Sequence, residues 1–258
     1  MYNEDIARLI TPLIKAASVV ELHREATAGQ SGCTQPPSLA GSHFGGRPYA
    51  EAGGSWPICA TCARPLTFIC QIRMSDCKHE AIPGIGLFTF FYCWECFPQE
   101  DGGELAGQWL VRLYPDPQDR KATLIEPSQP GEPVQTTPCA VTMQPTHSLP
   151  DWDGIAVWCP EAADLSAQAD PDEPWQSYLS TAEHLVGEAD YATMVGGYPR
   201  WVQADATPTC PRCGRWMELL VQIDSERAAG ITWGDAGLVY LFVCPDHLSQ
   251  IRFEMQSL

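Results

Sequence analysis

Eight side chains have the types and spacing of metal ligands: Cys59, Cys62, Cys93 and Cys96, then Cys210, Cys213, Cys244 and His247. Each set is two pairs, and two residues separate the partners of every pair, so a single turn can offer both to one ion. Four thiolates, or three with an imidazole, fill a tetrahedral zinc shell and leave no position for water or substrate. The reading is therefore two structural zinc ions per chain. Ordinary core cysteine does not explain two pairs per set at matched spacing, and a disulfide framework does not tolerate a histidine.

The sets belong to a longer self-similarity. A shift of 151 residues lays Gly45, Gly46 and Pro48 on Gly196, Gly197 and Pro199, and Pro57 and Arg64 on Pro208 and Arg215. It also lays Gln71 and Ile72 on Gln222 and Ile223, and Gly86, Leu87 and Phe91 on Gly237, Leu238 and Phe242. From 45 to 96 the shift gives 13 identities in 52 positions, where composition alone would give roughly 3 or 4. Cys96 falls on His247, one common zinc ligand replacing another. The expected fold is mostly β with a few helices (α+β), built from an internally duplicated β-rich unit whose copies each carry a zinc-knuckle hairpin.

The elements that must position these ligands follow from the apolar runs. Leu66–Ile72 comes directly after the first pair, and Leu87–Tyr92 ends on Cys93. Paired antiparallel, the two runs bring both ligand turns to one end of a hairpin. Met217–Ile223 and Leu238–Val243 repeat the arrangement. Runs apolar at nearly every position are buried on both faces, so Gln71 and Gln222 need hydrogen-bond partners and are read as a bridge between the halves. Asn3 to about Ala28 reads as helix from the stripe Ile6, Leu9, Ile10, Leu13, Ile14 and Ala17, with a kink or restart at Thr11-Pro12. Trp109–Tyr114, Ala122–Ile125, Ala140–Met143, Ile155–Trp158 and Ile251–Met255 read as strands, the last with Ile251, Phe253 and Met255 inward. Pro174–Val186 reads as helix, with proline in its first turn. The divisions are a helical segment at 1–28, a loop at 29–42, a first zinc-binding repeat with extension at 43–150, an acidic connection at 151–193, and a second repeat at 194–258.

Composition restricts function. Fifteen basic against thirty-two acidic residues leave a net charge of −17, which repels phosphate backbones and argues against direct nucleic-acid binding. No stretch approaches the roughly 20 apolar residues of a membrane span, and the N-terminus lacks a secretory pattern. A cytoplasmic protein is expected, and twelve cysteines there argue for metal before disulfides. Asp151 to Asp190 holds ten acidic residues and no Lys or Arg. It is either a solvated face or a docking face for a basic partner, with Asp170, Asp172, Glu173 and Trp175 as its contact residues.

Trp233 and Asp235 are the other candidate partner-binding residues. Trp233-Gly234-Asp235 also carries the competing hydrolase reading, as a carboxylate beside an indole. No H-E-x-x-H, G-x-S-x-G or phosphate-cradling loop is present, so no catalytic residue is assigned. His43 and His184 read as packed or surface histidines, Cys70 and Cys159 as core, and Cys33 as exposed.

The segments Val195–Pro199, Leu219–Asp224 and Trp233–Gly237, with Phe44–Pro48 and His147–Pro150, resemble the bacterial YwqG-like family. With its Cys pairs the chain is also similar to the eukaryotic programmed cell death protein 2 group, whose members chaperone a ribosomal protein. It departs from the typical YwqG-like pattern by adding the metal-ligand pairs. The resemblance implies an internally duplicated β-rich fold and a protein-binding role, with no catalytic residues to carry over. Some relatives lie in toxin–immunity neighbourhoods. The expected function is a zinc-stabilised, non-enzymatic protein-binding module, an immunity protein against a toxin or a chaperone for a nascent basic protein. An enzyme and a purely structural scaffold are the alternatives.

Overall fold

A computed structural model describes residues 2–24, 38–77, 82–96, 107–127, 135–188 and 192–258. Its centre is the antiparallel pair β1 (Lys15–Arg24) and β6 (Cys139–Ser148), in register from Lys15 opposite Ser148 to Arg24 opposite Cys139. β2 (His43–Phe44), β3 (Thr67–Arg73), β4 (Leu87–Tyr92) and β5 (Trp109–Tyr114) continue outward from β6. β7 (Met194–Gly196), β8 (Glu218–Asp224), β9 (Leu238–Cys244) and β10 (His247–Gln256) continue outward from β1. The sheet curls until it is nearly closed, because Trp109 on one outer strand stacks on Phe253 of the other at 5.6 Å. Its interior is one cluster drawn from both arms, including Ile72, Phe88, Phe90 and Tyr92 with Val221, Trp233, Leu241 and Phe253.

The apolar runs are strands for the expected reason. Every residue of β4 and β9 is buried, as is all of β3 except Arg73. β3 and β4 pair antiparallel from Thr67 opposite Tyr92 to Arg73 opposite Leu87. β8 and β9 pair likewise, and a register shift between Phe68 and Cys70 recurs between Leu219 and Val221.

Among the described residues four α-helices pack on one another, and the last also meets β6: α1 (Glu4–Ile10), α2 (Trp152–Trp158), α3 (Pro160–Ala169) and α4 (Pro174–Val186). They bury a separate core of Ile6, Ile10, Leu149, Ile155 and Tyr178. Among the described residues no helix is long and apolar enough to cross a membrane.

Several expectations are corrected. The N-terminal segment is not helical to Ala28: α1 ends at Ile10, a 3-10 turn spans Thr11–Leu13, and the chain then forms β1. Pro12 supports that break, and Val19 and Val20 lie in a strand with partners on both sides, β6 and β7. Residues 25–28, 29–37 of the expected loop, and Cys33 lie outside the described residues. Ile155–Trp158 is helix rather than strand, because Asp151 caps α2 by accepting from the Gly154 N–H at 2.9 Å. Ala122–Ile125 forms no strand; Leu124 is exposed, and the Thr123 N–H bonds to the Ala50 carbonyl at 2.8 Å. Within the acidic segment, Trp152–Trp158, Pro160–Ala169 and Pro174–Val186 are the helices α2, α3 and α4.

The two glutamines do not bridge the halves. Gln71 accepts from the Tyr49 N–H at 2.6 Å and donates to the Leu39 and Gly41 carbonyls. Gln222 accepts from the Arg200 N–H at 2.9 Å and donates to the Ala192 carbonyl. Each pins the Gly-Gly-x-Pro loop of its own arm to the sheet, which satisfies a buried amide locally.

Candidate metal centres

Cys59 and Cys62 lie on a turn that precedes β3. The Cys59 N–H bonds to the Arg64 carbonyl at 2.8 Å and the Ala63 N–H to the Cys59 carbonyl at 2.9 Å. In the other arm the Cys210 N–H bonds to the Arg215 carbonyl at 2.8 Å and the Gly214 N–H to the Cys210 carbonyl at 2.8 Å. An isolated bridge closes each loop behind the turn, Ile58 with Pro65 and Thr209 with Trp216. The residue after the second cysteine of each pair adopts positive φ, 57° at Ala63 and 73° at Gly214. β4 and β9 then deliver Cys93 and Cys244 from the adjacent strand, with Cys96 and His247 three residues on.

The structure brings all eight predicted ligands into two clusters, each with its donor atoms within 4.8 Å of one another. In the first, the Sγ atoms of Cys59 and Cys96 are 3.9 Å apart and those of Cys62 and Cys93 3.7 Å. In the second, Cys213 Sγ lies 3.7 Å from Cys244 Sγ, and His247 Nδ1 lies 3.8 Å from Cys210 Sγ and 3.6 Å from Cys244 Sγ. These separations far exceed a disulfide bond of about 2.05 Å. They match the edges of a tetrahedron whose centre is about 2.3 Å from each sulfur, edges of about 3.8 Å. Both clusters are thus compatible with metal. Among the described residues no cysteine is in a disulfide.

Electrostatics within the clusters favours thiolate on the leading cysteines. Burial opposes ionisation of Cys59, but the backbone N–H groups of Cys62 and Thr61 and the Cys93 and Cys62 thiols outweigh it, and its pKa falls to about 7. Cys210 falls to about 6 against the same burial, through the N–H groups of Arg212 and Cys213 and the Cys244 and Cys213 thiols. Cys93 and Cys244 are raised, by burial first and then by the neighbouring sulfurs. Thiolate is the form that ligates metal. Away from the clusters burial alone pushes the Cys70 thiol up, and burial with the Asp76 carboxylate lifts Cys77 to about 12. Those two, with Cys139 and Cys159, are core.

A clasp not read from the sequence crosses each cluster: Arg64 with Glu95 at 2.9 Å, and Arg215 with Asp246 at 2.5 Å. The signal was available, since the 151-residue shift lays Glu95 on Asp246, but a count of identities passes over a like-charged substitution.

Residues 42–257 match the family described as "Domain of unknown function (DUF1963)". The chain belongs to that family. The DUF1963 match spans both clusters and nine of the ten strands within its bounds. A 53-residue stretch is 38% identical to "Uncharacterized protein YpfL" of Salmonella typhimurium (strain LT2), covering 20% of this chain and 12% of that protein. The chain therefore spans only a small part of that relative's length.

The remaining candidates separate by burial. Asp172 and Glu173 are exposed, and Trp175 at the start of α4 is 40% exposed. Asp170 accepts from the Asp172 and Glu173 N–H groups and so shapes the turn before α4. Trp233 is a correction: it is 1% exposed, stacks on Trp94 at 4.9 Å, and donates its indole N–H to the Asp224 carbonyl. A core indole is not a docking residue. Asp235 is exposed on its loop, and that loop is held tightly, since a Cβ at Gly237 would meet the Gln256 carbonyl oxygen at 2.2 Å. His43 contacts the Gly41 and Arg47 carbonyls through its two ring nitrogens, and His184 lies on the surface beside Tyr2.

Proposed function

We propose that this chain is a zinc-stabilised protein-binding module for a basic partner, acting in the cytoplasm as a toxin-neutralising immunity protein or a chaperone. Both roles are one physical act, holding a cationic protein. The observation that carries the reading is the closed donor set. Each cluster offers four protein ligands at tetrahedral separations, which fits a structural zinc and leaves no coordination position for chemistry. Zinc would tie the open end of the β3–β4 hairpin and the open end of the β8–β9 hairpin. The recurrence of turns, register shifts and glutamine anchors 151 residues apart supports descent from one duplicated unit with two zinc knuckles. The DUF1963 match supports the resemblance to YwqG-like proteins.

The basic-partner half of the reading rests on charge. The net charge of −17 and the exposed carboxylates before α4 favour encounter with a cation. The hydrolase alternative is weakened by Trp233, because an indole in the core cannot wall an open site around Asp235.

The test is the association rate with the partner recovered from the native host, measured against ionic strength. Neutralising Asp170, Asp172 and Glu173 together is expected to slow association and flatten its salt dependence, with fold and zinc content unchanged. Trp175→Ala is expected to speed dissociation instead. Salt-independent association, unaltered by the triple change, would reduce the acidity to a solubility device.

A further inference from the structure

The helical core does not cover all of the apolar surface of α4. Tyr178, Thr181 and Ala182 are buried, with Leu185 packed beside them. Trp175, Leu179, Ala182 and Val186 share one line along the helix; Ala182 and Val186 meet the helical core, and the line reaches the surface at Trp175 and Leu179. Trp175 and Leu179 are among the exposed large hydrophobic side chains of the molecule.

That line runs into a cleft of about 270 Å³ between the C-terminal half of α4 and the start of α2. Trp152, Leu179, Ala182 and Val186 give it apolar walls, and Asp153 and Glu183 contribute carboxylates. Both acids are exposed. Asp151 and Arg200 also line it. Asp151 is committed to the Gly154 and Trp201 N–H groups, and the guanidinium of Arg200 acts electrostatically on it. These two opposite charges offset each other, which leaves the lining with the net negative charge of Asp153 and Glu183.

The geometry points to this cleft as the docking site for a segment of a basic protein that presents an aliphatic side chain next to Lys or Arg. The aliphatic group fills the walls formed by Trp152, Leu179 and Val186, and the neighbouring cations meet Asp153 and Glu183. Trp175 extends the contact along α4 toward Asp172 and Glu173, which joins the cleft to the acidic face. This assignment rests on the basic-partner reading above and adds to it the side chain that is recognised. A nucleic acid is unsuited to the site, since its phosphates would meet carboxylates.

The experiment uses the full zinc-loaded chain and two amidated, acetylated peptides of equal charge, Lys-Leu-Lys-Leu-Lys and Lys-Ser-Lys-Ser-Lys. Affinities are measured by titration at low salt, and backbone amide NMR shifts report the location. The leucine peptide is expected to bind about tenfold more tightly, the value of burying one such side chain, with shifts confined to residues 150–153 and 175–187. Leu179→Ser should abolish that preference, and Glu183→Lys should weaken both peptides up to about fivefold, as for an exposed pair. Both substitutions are at surface positions. If the two peptides bind alike, or the shifts fall outside the cleft, the cleft assignment fails while the basic-partner reading stands. If neither lysine peptide binds, that reading fails as well.

Discussion

Ala63 and Gly214 occupy the same position in two turns with matching backbone hydrogen bonds, yet only one is glycine. Both have left-handed φ, a conformation that costs a residue with a Cβ roughly 1–2 kcal/mol. Ala63→Gly should therefore raise stability by about 0.5–1 kcal/mol once the greater freedom of unfolded glycine is subtracted. Gly214→Ala should lower it comparably, since open space around Gly214 leaves backbone strain as the whole effect. Denaturant titration of the two variants decides the matter, and equal effects of the same sign would contradict this account of the turns. The unlike ligands give a second test. His247→Cys should keep two metals per chain, whereas His247→Ala should loosen the second cluster and spare the first. Retention of both metals in His247→Ala with unchanged chelator resistance would remove His247 from the ligand set. Asp246, clasped by Arg215, would then be the nearest replacement. The clustering of the eight side chains was legible in the sequence because it depends on spacing of two residues within a turn. The clasps were not, because an ion pair between turns depends on pairing of strands.

At the scale of elements, buried runs were legible and mixed ones were not. β3, β4, β8 and β9 announce themselves by nearly continuous apolar runs, and α4 by Pro174 ahead of a helical stripe. β1 was hidden because Ile6 to Ala17 happens to keep helical spacing across the break at Pro12, so periodicity extended a seven-residue helix into a strand. α2 was hidden because Ile155–Trp158 is too short to show a period, and its cap, Asp151, decides its conformation. That cap leads to a pH prediction. Burial raises Asp151 to about 6, against the opposing Trp201 and Gly154 N–H groups and Arg200. A carboxyl whose folded pKa lies above its unfolded value favours the fold most when protonated, and its contribution falls as pH rises toward the folded pKa. The stability advantage of wild type over Asp151→Asn should thus shrink by on the order of 1 kcal/mol between pH 5 and pH 7. Urea midpoints for the two proteins across that window measure it; an advantage that grows with pH would overturn the assignment.

For the whole molecule, the sequence conveyed the β-rich class and the acidity, but not how the strands close. Strand order is set by β1 and β6, which sit between the arms and have no counterpart in the 151-residue shift. Closure is set by aromatic packing across the gap, Trp109 on Phe253 and Trp94 on Trp233, and these pairs join residues more than a hundred positions apart. The two clusters lie at the turns that bracket β3–β4 and β8–β9 within this nearly closed sheet. Metal there would hold each hairpin to its ligand turn, and folding would be coupled to thiolate ligation. The central claim is that both closed donor sets hold zinc. The direct measurement is elemental analysis with native mass spectrometry on protein purified without added metal. Two zinc ions per chain, lost together with cooperative folding on strong chelation, is the predicted result. A stoichiometry near zero, with the eight ligand positions unmodified and the protein fully folded, would contradict it.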